Sequence, residues 1–304
     1  MPRNGFKYLD HPYLLLTLTA LIWSGNAIAG KFAVGSVPPM ALTFLRWLLA
    51  AIVQMIIATA PLKRDWPQIR KNAGQLFLMG AIGFGGFNLL LYNALHSTTA
   101  LNVTIEQSAM PMLIVLLGVF IHGERGNWRQ ISGIILSLAG VAVTAAHGDL
   151  ARLIALQVNR GDGLMLLAVL AYSGYAITLR SKPALHPLSF LAILSLSAAA
   201  TALPFFIHEM SQGIIFTPSL KGGALILYVA LFPSILAQMF FARGVEQIGS
   251  ARAGQFINLV PLFAAFLAVA LLGETLQGFH FIGFGLIMGG IWLGAHKVLP
   301  QGRA

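Results

Sequence analysis

The segment Ser108-Ala109-Met110-Pro111, followed after an apolar run by Gly123-Glu124, recurs 150 positions later as Asn258-Leu259-Val260-Pro261 followed by Gly273-Glu274. The same offset aligns further identical residues without a gap: Leu117 with Leu267, Val119 with Val269, Gly133 with Gly283, Leu136 with Leu286, Gly140 with Gly290 and Ala145 with Ala295. The chain is therefore read as two copies of one module.

The composition places both copies in a lipid bilayer. Of the 304 residues, 57% are hydrophobic and only 9% are charged, and the mean hydropathy is +0.80. No soluble core could bury this apolar fraction. About 20 apolar residues cross roughly 30 Å of hydrocarbon, so the chain has room for about ten spans. The runs are continuously apolar rather than alternating, which favours helices over the strands of a barrel.

We predict an all-α membrane protein with ten transmembrane helices, arranged as two five-helix repeats at residues 1–150 and 151–304. Turn residues, such as those from Pro61 to Pro67, separate the apolar runs. Because five is an odd number, the second repeat enters the membrane upside down, as in many secondary transporters. The runs cover about 12–34, 39–60, 74–95, 100–121, 128–147, 163–181, 187–208, 221–243, 250–272 and 277–298.

The basic residues predict cytoplasmic N and C termini. Of the 19 lysines and arginines, 14 fall on one set of loops and 4 on the other, and Arg46 lies inside a run. The charges also exchange sides between the repeats, since uncharged Asn93 and Asn102 correspond to Arg243 and Arg252. This exchange supports the inverted arrangement.

Several classes of protein are excluded. The net charge of +10 does not indicate nucleic-acid binding, because the basic residues form no basic face. The absence of cysteine excludes disulfides and thiolate metal sites. The sequence has no GxxxxGK[ST], HExxH or GxSxG motif and no metal-ligand spacing of histidines. We expect no enzyme activity, no metal and no cofactor; the partners are a small molecule and the bilayer, and the uniformly apolar spans indicate no oligomeric state.

Four positions are predicted hinges. Pro111 and Pro261 lie near the middle of the fourth and ninth runs, where a proline leaves the carbonyl four residues earlier without its helical partner. Gly83 and Pro233 correspond to each other in the third and eighth runs. We expect the freed carbonyls and the neighbouring amides to face a common site at the membrane midplane.

An aromatic residue beside Ser-Gly recurs in the first and sixth runs. Trp23-Ser24-Gly25-Asn26 corresponds to Tyr172-Ser173-Gly174-Tyr175 at an offset of 149. Small residues allow close helix approach, and an aromatic ring offers a flat face to a cavity. The same residues also serve helix packing and interfacial anchoring, and the sequence does not separate these interpretations.

Two ionisable residues lie inside predicted spans. Arg46 and Glu106 are at similar depths, counted from the extracytoplasmic ends of the second and fourth runs. A charge inside a span is a functional candidate, as a substrate contact or a coupling site. The alternatives are snorkelling and a structural ion pair between Arg46 and Glu106. Glu124 and Glu274, at the ends of runs, are interpreted as caps or loop braces.

These features resemble the drug/metabolite transporter superfamily, specifically its ten-helix members with two EamA-type repeats. The resemblance covers nearly the whole chain and rests on Trp23 to Asn26, Arg46, and the repeated segments from Pro111 to Glu124 and from Pro261 to Glu274. Within the superfamily, the chain is most similar to the bacterial aromatic amino-acid exporters. The second repeat has no equivalent of Arg46.

The resemblance implies a multi-pass carrier of the cell inner membrane that exports small metabolites, foremost aromatic or apolar amino acids, by alternating access. The alternative cargo is a cationic drug or a nucleoside-type metabolite, and a reading from another class is an intramembrane enzyme or a structural subunit. The cavity residues that the resemblance implies are Trp23, Asn26, Tyr92, Gln107, Tyr172, Tyr175, Gln238 and Asn258.

Overall fold

The computed structural model describes residues 11–122, 128–149, 159–248 and 256–295. Within these ranges every regular element is helical. The first half contains α1 (Pro12–Ala33), α2 (Pro39–Ile57), α3 (Thr59–Lys71), α4 (Ala73–Gly80), α5 (Phe87–Ala94), α6 (Ala100–Gln107), α7 (Met110–His122) and α8 (Trp128–Ala145). The second half contains α9 (Arg160–Thr178), α10 (Pro187–Ser211), α11 (Leu220–Leu231), α12 (Ala237–Ile248), α13 (Leu259–Leu272) and α14 (Gly278–Ala295).

Seven helical rods in this part of the chain are long and apolar enough to cross a membrane, which confirms an all-helical membrane protein. Three further apolar helices are shorter: Ile131–Ala145, Leu259–Leu272 and Gly278–Leu293. They fall within the fifth, ninth and tenth predicted runs. The seven long rods are Pro12–Ala33, Pro39–Ile57, Ala73–Ala94, Ala100–Gly118, Arg160–Thr178, Pro187–Ser211 and Leu220–Gly244.

The segment from Pro61 to Pro67 is helical, and its prediction as a turn was wrong. It belongs to α3, which separates from α2 at Ala58. Pro61 is the third residue of α3, where a backbone N–H has no intrahelical acceptor, so the proline is tolerated. Basic residues are concentrated on this amphipathic helix, and Trp66 is exposed, as expected for a helix at a membrane surface.

Two rods are interrupted by π-helical turns at corresponding positions. Gly83 lies in the turn Ala81–Gly86, between α4 and α5, and Pro233 in the turn Phe232–Leu236, between α11 and α12. Pro233 lacks the N–H that would bond the Val229 carbonyl, and the Ser234 hydroxyl donates to that carbonyl instead at 2.7 Å. The helix is therefore locally widened at two of the four predicted hinges, Gly83 and Pro233.

Pro111 and Pro261 do not kink continuous helices. The rod breaks after Gln107, and Pro111 is the second residue of α7. Pro261 is the third residue of α13, directly after the 3₁₀ turn Phe256–Asn258. Both prolines occupy a first helical turn, where their fixed φ fits and their missing N–H leaves no gap. The expected mid-helix kinks are therefore helix starts.

Helices α8 and α14 pack through corresponding glycines. A methyl group at Gly140 would lie 2.5 Å from the Gly283 carbonyl oxygen, and one at Gly290 would lie 2.4 Å from the Gly133 carbonyl oxygen. The later glycine of α8, Gly140, meets the earlier glycine of α14, Gly283, and the earlier Gly133 meets the later Gly290, so α8 and α14 are antiparallel. Because Gly133 is equivalent to Gly283 and Gly140 to Gly290, the contact is isologous, as at a two-fold axis.

Carboxylates cap the N-termini of α2 and α10. The Glu209 carboxylate, at the end of α10, accepts the N–H groups of Met40 and Ala41, at the start of α2, at 3.2 and 2.9 Å. Asp65, on α3, accepts the N–H of His186 at the start of α10 at 2.8 Å, which lowers the pKa of this carboxyl. An anion from another helix therefore lies at each of these two N-termini.

Glu274 acts in the same way across the two halves. Its carboxylate accepts the N–H groups of Ala100 and Leu101, at the start of α6, at 2.9 and 3.0 Å. The interpretation of Glu274 as a cap is therefore confirmed. Its counterpart Glu124 lies outside the described residues.

Replacing Glu209 by alanine tests the cap at the N-terminus of α2. The variant leaves two N–H groups of α2 without their acceptor, and we expect it to lose about 0.5–2 kcal/mol of stability. Thermal unfolding in detergent measures the loss. Gln212→Ala, an exposed change one residue beyond α10, is the matched control. Equal midpoints for the two variants would show that the cap does not stabilise the fold.

Candidate functional site

A buried arginine lies at the junction of the two halves. Arg46 is 4% exposed. Its Nε donates to the Ser234 hydroxyl at 2.7 Å, and its Nη1 donates to the side-chain oxygens of Asn26 and Asn88, each at 2.7 Å, and to the Tyr92 hydroxyl. We call these five residues the Arg46 cluster. Three of the four acceptors come from the first half, on α1 and α5, and Ser234 comes from the second.

The backbone carbonyls of the second π turn accept hydrogen bonds from side chains of the first half. Gln54, two helical turns beyond Arg46 on α2, donates to the Ser234 carbonyl at 3.1 Å and accepts from the Ser195 hydroxyl at 2.8 Å. The Trp23 indole donates to the Pro233 carbonyl at 3.3 Å. The carbonyls at this irregular turn therefore find donors on other helices, as a backbone inside a membrane requires.

The charge of Arg46 is solvated but not neutralised. All four of its partners are neutral oxygens, and its Nη2 has no acceptor among the described residues. The ion pair found among the described residues joins Arg64 and Asp65, at 3.2 Å. The Arg46 cluster is therefore a preformed cationic site with an open donor.

The ion pair of Arg46 with Glu106 is not formed, and this interpretation was wrong, as was snorkelling of the buried Arg46. Glu106 is 0% exposed, and neither carboxylate oxygen has a hydrogen-bond partner in the described chain. The two residues have similar depths but lie on helices with different neighbours. Helix α2 packs against α5, α10 and α11, whereas α6 packs against α1, α8, α9 and α13.

A row of aromatic rings extends from Arg46 along the first π turn. The Arg46 guanidinium lies 4.7 Å from the centre of the Trp47 ring, which stacks on Phe84 at 4.8 Å. Phe84 contacts Tyr175 at 5.6 Å, and Tyr175 contacts Tyr172 at 5.4 Å. Aromatic residues from both halves thus surround this turn, and the two predicted tyrosines belong to the row.

A cavity of about 640 Å³ lies between the first π-turn rod and α9. Among the predicted cavity residues, Tyr175 lines it. Several lining side chains, including Leu78 and Ile82, are exposed, so this cavity between the two halves is open to the outer surface. Its lining is mainly apolar: Gln75, Leu78, Met79, Ile82, Leu90, Leu167, Leu170, Ala171, Gly174, Tyr175, Thr178 and Ser181.

The other predicted residues fall into two groups. Asn26 and Tyr92 belong to the Arg46 cluster, and the half-buried Trp23 is joined to it through Pro233. Gln107 and Gln238 are half-buried and have no hydrogen bond to the cluster. Asn258 lies in the 3₁₀ turn before α13, and its side chain is outside the described set.

Neither Asn88 nor Ser234 was among the cavity residues that the resemblance implies, although Asn88 is one of the amides near the predicted hinges. Asn88 precedes Tyr92 by four residues, so the two share one helix face, and this spacing could have identified it. Gln54 follows Arg46 by eight residues on an otherwise apolar helix, which is a similar signal. Ser234 gave no such signal, because the π turn that aims its hydroxyl is not visible in the spacing.

A second polar cluster joins the ends of four helices. Asp162, in the first turn of α9, accepts hydrogen bonds from the Thr98 hydroxyl and, at 3.5 Å, from the Asn102 amide. The Asn102 amide nitrogen also lies 3.3 Å from His147 Nε2, and its oxygen lies 3.2 Å from His280 Nε2. We call these five residues the end cluster. It connects α6 and α8 of the first half with α9 and α14 of the second.

These features define a helical membrane protein with related halves and an unneutralised cation inside. Comparison with known proteins gives the class. The model of the EamA-like transporter family matches residues 11–146 and again residues 159–294. The chain therefore belongs to the EamA-like transporter family, and it is a membrane transporter rather than an enzyme.

Several relatives align over most of both chains. The uncharacterized transporter YetK of Bacillus subtilis is 25% identical, over 92% of this chain and 86% of its own. A probable amino-acid metabolite efflux pump of Salmonella typhimurium is 26% identical, over 92% and 93%. A probable terminal-alkyne amino-acid exporter of Streptantibioticus cattleyicolor is 26% identical, over 95% and 94%.

The fold is also found among solved structures. One crystal structure, titled only as that of a protein, matches with a TM-score of 0.60 over 93% of this chain and 96% of its own. The two sequences are 21% identical, so the match concerns the fold alone.

Replacing Gly83 by alanine tests the contact between the first π turn and α9. The added methyl group would lie 2.2 Å from the Tyr175 ring, so ring or turn must move, and we expect a loss of about 1–3 kcal/mol. Gly174→Ala, on α9 with open space around it, is the matched control and should not destabilise the protein. Thermal unfolding in detergent compares them; a wild-type midpoint for Gly83→Ala would contradict the contact.

Proposed function

We propose that this protein is a secondary transporter that exports amino acids or closely related metabolites, with aromatic and apolar side chains preferred, across the bacterial inner membrane. Membership of the EamA-like transporter family and the names of the Salmonella and Streptantibioticus relatives support the substrate class. The observation that carries the proposal is the Arg46 cluster.

A substrate carboxylate is the natural partner of Arg46. Transferring an arginine to the centre of a span costs about 2.5–3.5 kcal/mol on insertion scales, and the four neutral acceptors offset this. They do not supply a negative charge. A carboxylate about 4 Å away adds roughly 4 kcal/mol of attraction at an effective dielectric constant near 20. The free Nη2 supplies a donor in the planar geometry that carboxylates prefer.

The same observation separates the two candidate cargoes. A cationic drug would have to approach an uncompensated guanidinium, which repels it. An amino acid brings the missing anion, and the aromatic row from Trp47 to Tyr172 offers flat apolar surfaces for its side chain. The Arg46 cluster therefore favours the amino-acid cargo over the cationic one.

Alternating access between two inverted five-helix repeats, at residues 1–150 and 151–304, is our proposed mechanism. The isologous contact of antiparallel α8 and α14 is what a two-fold axis in the membrane plane would produce. Counting the three shorter helices as spans gives ten crossings. Irregular turns at equivalent positions, at Gly83 and Pro233, give each repeat a place to bend.

The ten-span topology agrees with the contacts between helix ends. Glu209 with Met40 and Glu274 with Ala100 join ends that the topology assigns to the outside. Asp65 with His186 joins two ends assigned to the cytoplasm. These contacts fit either orientation of the whole protein, and we propose cytoplasmic termini from the distribution of lysines and arginines over the loops.

Single cysteines test the topology directly, because the chain contains no cysteine of its own. A membrane-impermeant maleimide should label Leu220→Cys in intact cells, since Leu220, the first residue of α11, is 92% exposed and is assigned to the outside. Lys63→Cys, exposed on α3, should be labelled only after permeabilisation and serves as the matched control. The reverse pattern would show the opposite orientation, and labelling of both in intact cells would contradict the ten-span topology.

Competition in proteoliposomes tests the role of Arg46. We expect counterflow of labelled phenylalanine, inhibited at least about tenfold better by phenylalanine than by phenylalaninamide, which lacks the carboxylate. Arg46→Met should abolish this preference, and Arg46→Lys should weaken it, because an ammonium cannot replace the guanidinium fork. Thermal unfolding of each variant shows that it is folded.

The control is Arg64→Met, which removes an exposed arginine from α3 and should keep the preference. Equal inhibition by acid and amide in the wild type would refute the carboxylate site. Counterflow driven by cationic drugs but not by amino acids would establish the alternative cargo.

A further inference from the structure

A carboxyl group lies buried and unpartnered one helical turn inward from the end cluster. Glu106 is 0% exposed, and both of its oxygens lack hydrogen-bond partners among the described residues. An ionised carboxylate in such a place bears a large desolvation cost that nothing repays, whereas a protonated one does not. Glu106 therefore carries a proton in this conformation.

The charged groups around α6 make other contacts and do not neutralise an ionised Glu106. Lys31, on α1, donates to the carbonyls of Leu95 and Thr98 at 2.9 and 2.6 Å. Glu274, beyond α13, is used in capping α6. Titratable groups on the elements packed against α6 include Lys31 of α1, His147 after α8, Arg160 and Asp162 of α9, Glu274 after α13 and His280 of α14, while Arg129 lies at the opposite end of α8.

The end cluster leads from Glu106 to the end of the molecule. Asn102 and Glu106 are four residues apart and share one face of α6, which also faces α9. The inner oxygen of the cluster, Asp162 Oδ2, is itself buried without a partner. Towards the surface, Asn102 contacts His147, which is half-buried and followed by exposed residues. Polar side chains from both halves thus lie between Glu106 and the end of the molecule, and they are in contact with one another in this conformation.

We propose that Glu106 is the proton-binding site that couples export to the proton gradient, and that the end cluster is the gate through which it exchanges protons with the extracytoplasmic water. The proposal rests on the proposed function and adds its driving ion. No covalent bond changes except at the proton, which passes from outside water to the Glu106 carboxylate and later to cytoplasmic water.

Coupling follows from the cost of burying a charge. When the end cluster opens, water reaches Glu106 and the carboxylate can ionise. The cluster can close again only after Glu106 takes up a proton, because closure would otherwise bury an unpartnered anion. The empty carrier therefore returns inward with a proton, releases that proton to cytoplasmic water and takes up substrate in its place. Substrate and proton move in opposite directions.

Proteoliposomes with an acidic lumen test the coupling, with the voltage clamped at zero by potassium and valinomycin. The probe is labelled phenylalanine, or whichever amino acid shows counterflow. For one proton per substrate, a tenfold gradient of protons drives up to about tenfold accumulation in the wild type. Glu106→Gln, which mimics the protonated state, should lose this accumulation and keep counterflow within about twofold of wild type.

The control is Glu209→Gln, a similar change in a carboxylate that caps α2 and lies outside both clusters; it should keep both activities. Counterflow without gradient-driven accumulation in the wild type would overturn the proton site and leave the carrier function intact. Accumulation driven by a sodium gradient at equal pH would assign the site to a metal cation instead. A Glu106→Gln variant that still accumulates substrate would also overturn the proposal. Loss of counterflow in the wild type would refute the carrier function itself.

Discussion

A positive charge inside a membrane protein has to be solvated by the protein, and the solvation of Arg46 determines how the two halves meet. Its acceptors are contributed by α1, α5 and the π turn after α11, so the guanidinium links helices that are distant in sequence. The Ser234 hydroxyl reaches Arg46 only because the helix widens at Pro233. The irregular backbone is therefore a condition for burying the charge.

The irregular turns are stabilised by hydrogen-bond donors, most of them on neighbouring helices. A π turn or a proline leaves carbonyls unpaired, and the membrane offers no water to satisfy them. Ser234, Gln54 and Trp23 supply hydroxyl, amide and indole donors to the carbonyls around the second turn. At the first turn, the Asn88 amide donates to the Phe84 carbonyl at 2.8 Å. Asn88 and Ser234, which both accept a hydrogen bond from Arg46, thus stabilise the backbone as well as the charge.

The internal repeat and the apolar runs predicted the helices well, because both follow directly from residue type and spacing. The offset of 150 also identified the glycines that pack α8 on α14 and the equivalent turns at Gly83 and Pro233. Spacing along one helix does not reveal which helices are neighbours. The expected pairing of Arg46 with Glu106 failed for this reason: similar depth is a one-dimensional criterion, and contact depends on the arrangement of helices around each residue.

The separation of Arg46 from Glu106 also bears on how substrate and proton could influence each other. Their helices, α2 and α6, pack against different neighbours, so direct competition for one group is not the simplest form of coupling. Each residue instead affects the conformation separately: Arg46 offers an open donor to an anion, and Glu106 must be neutral before the end cluster closes. Both events change the arrangement of the same two halves, since each cluster contains side chains from both halves. A shared conformational equilibrium is then sufficient for coupling, and no contact between the ligands is needed.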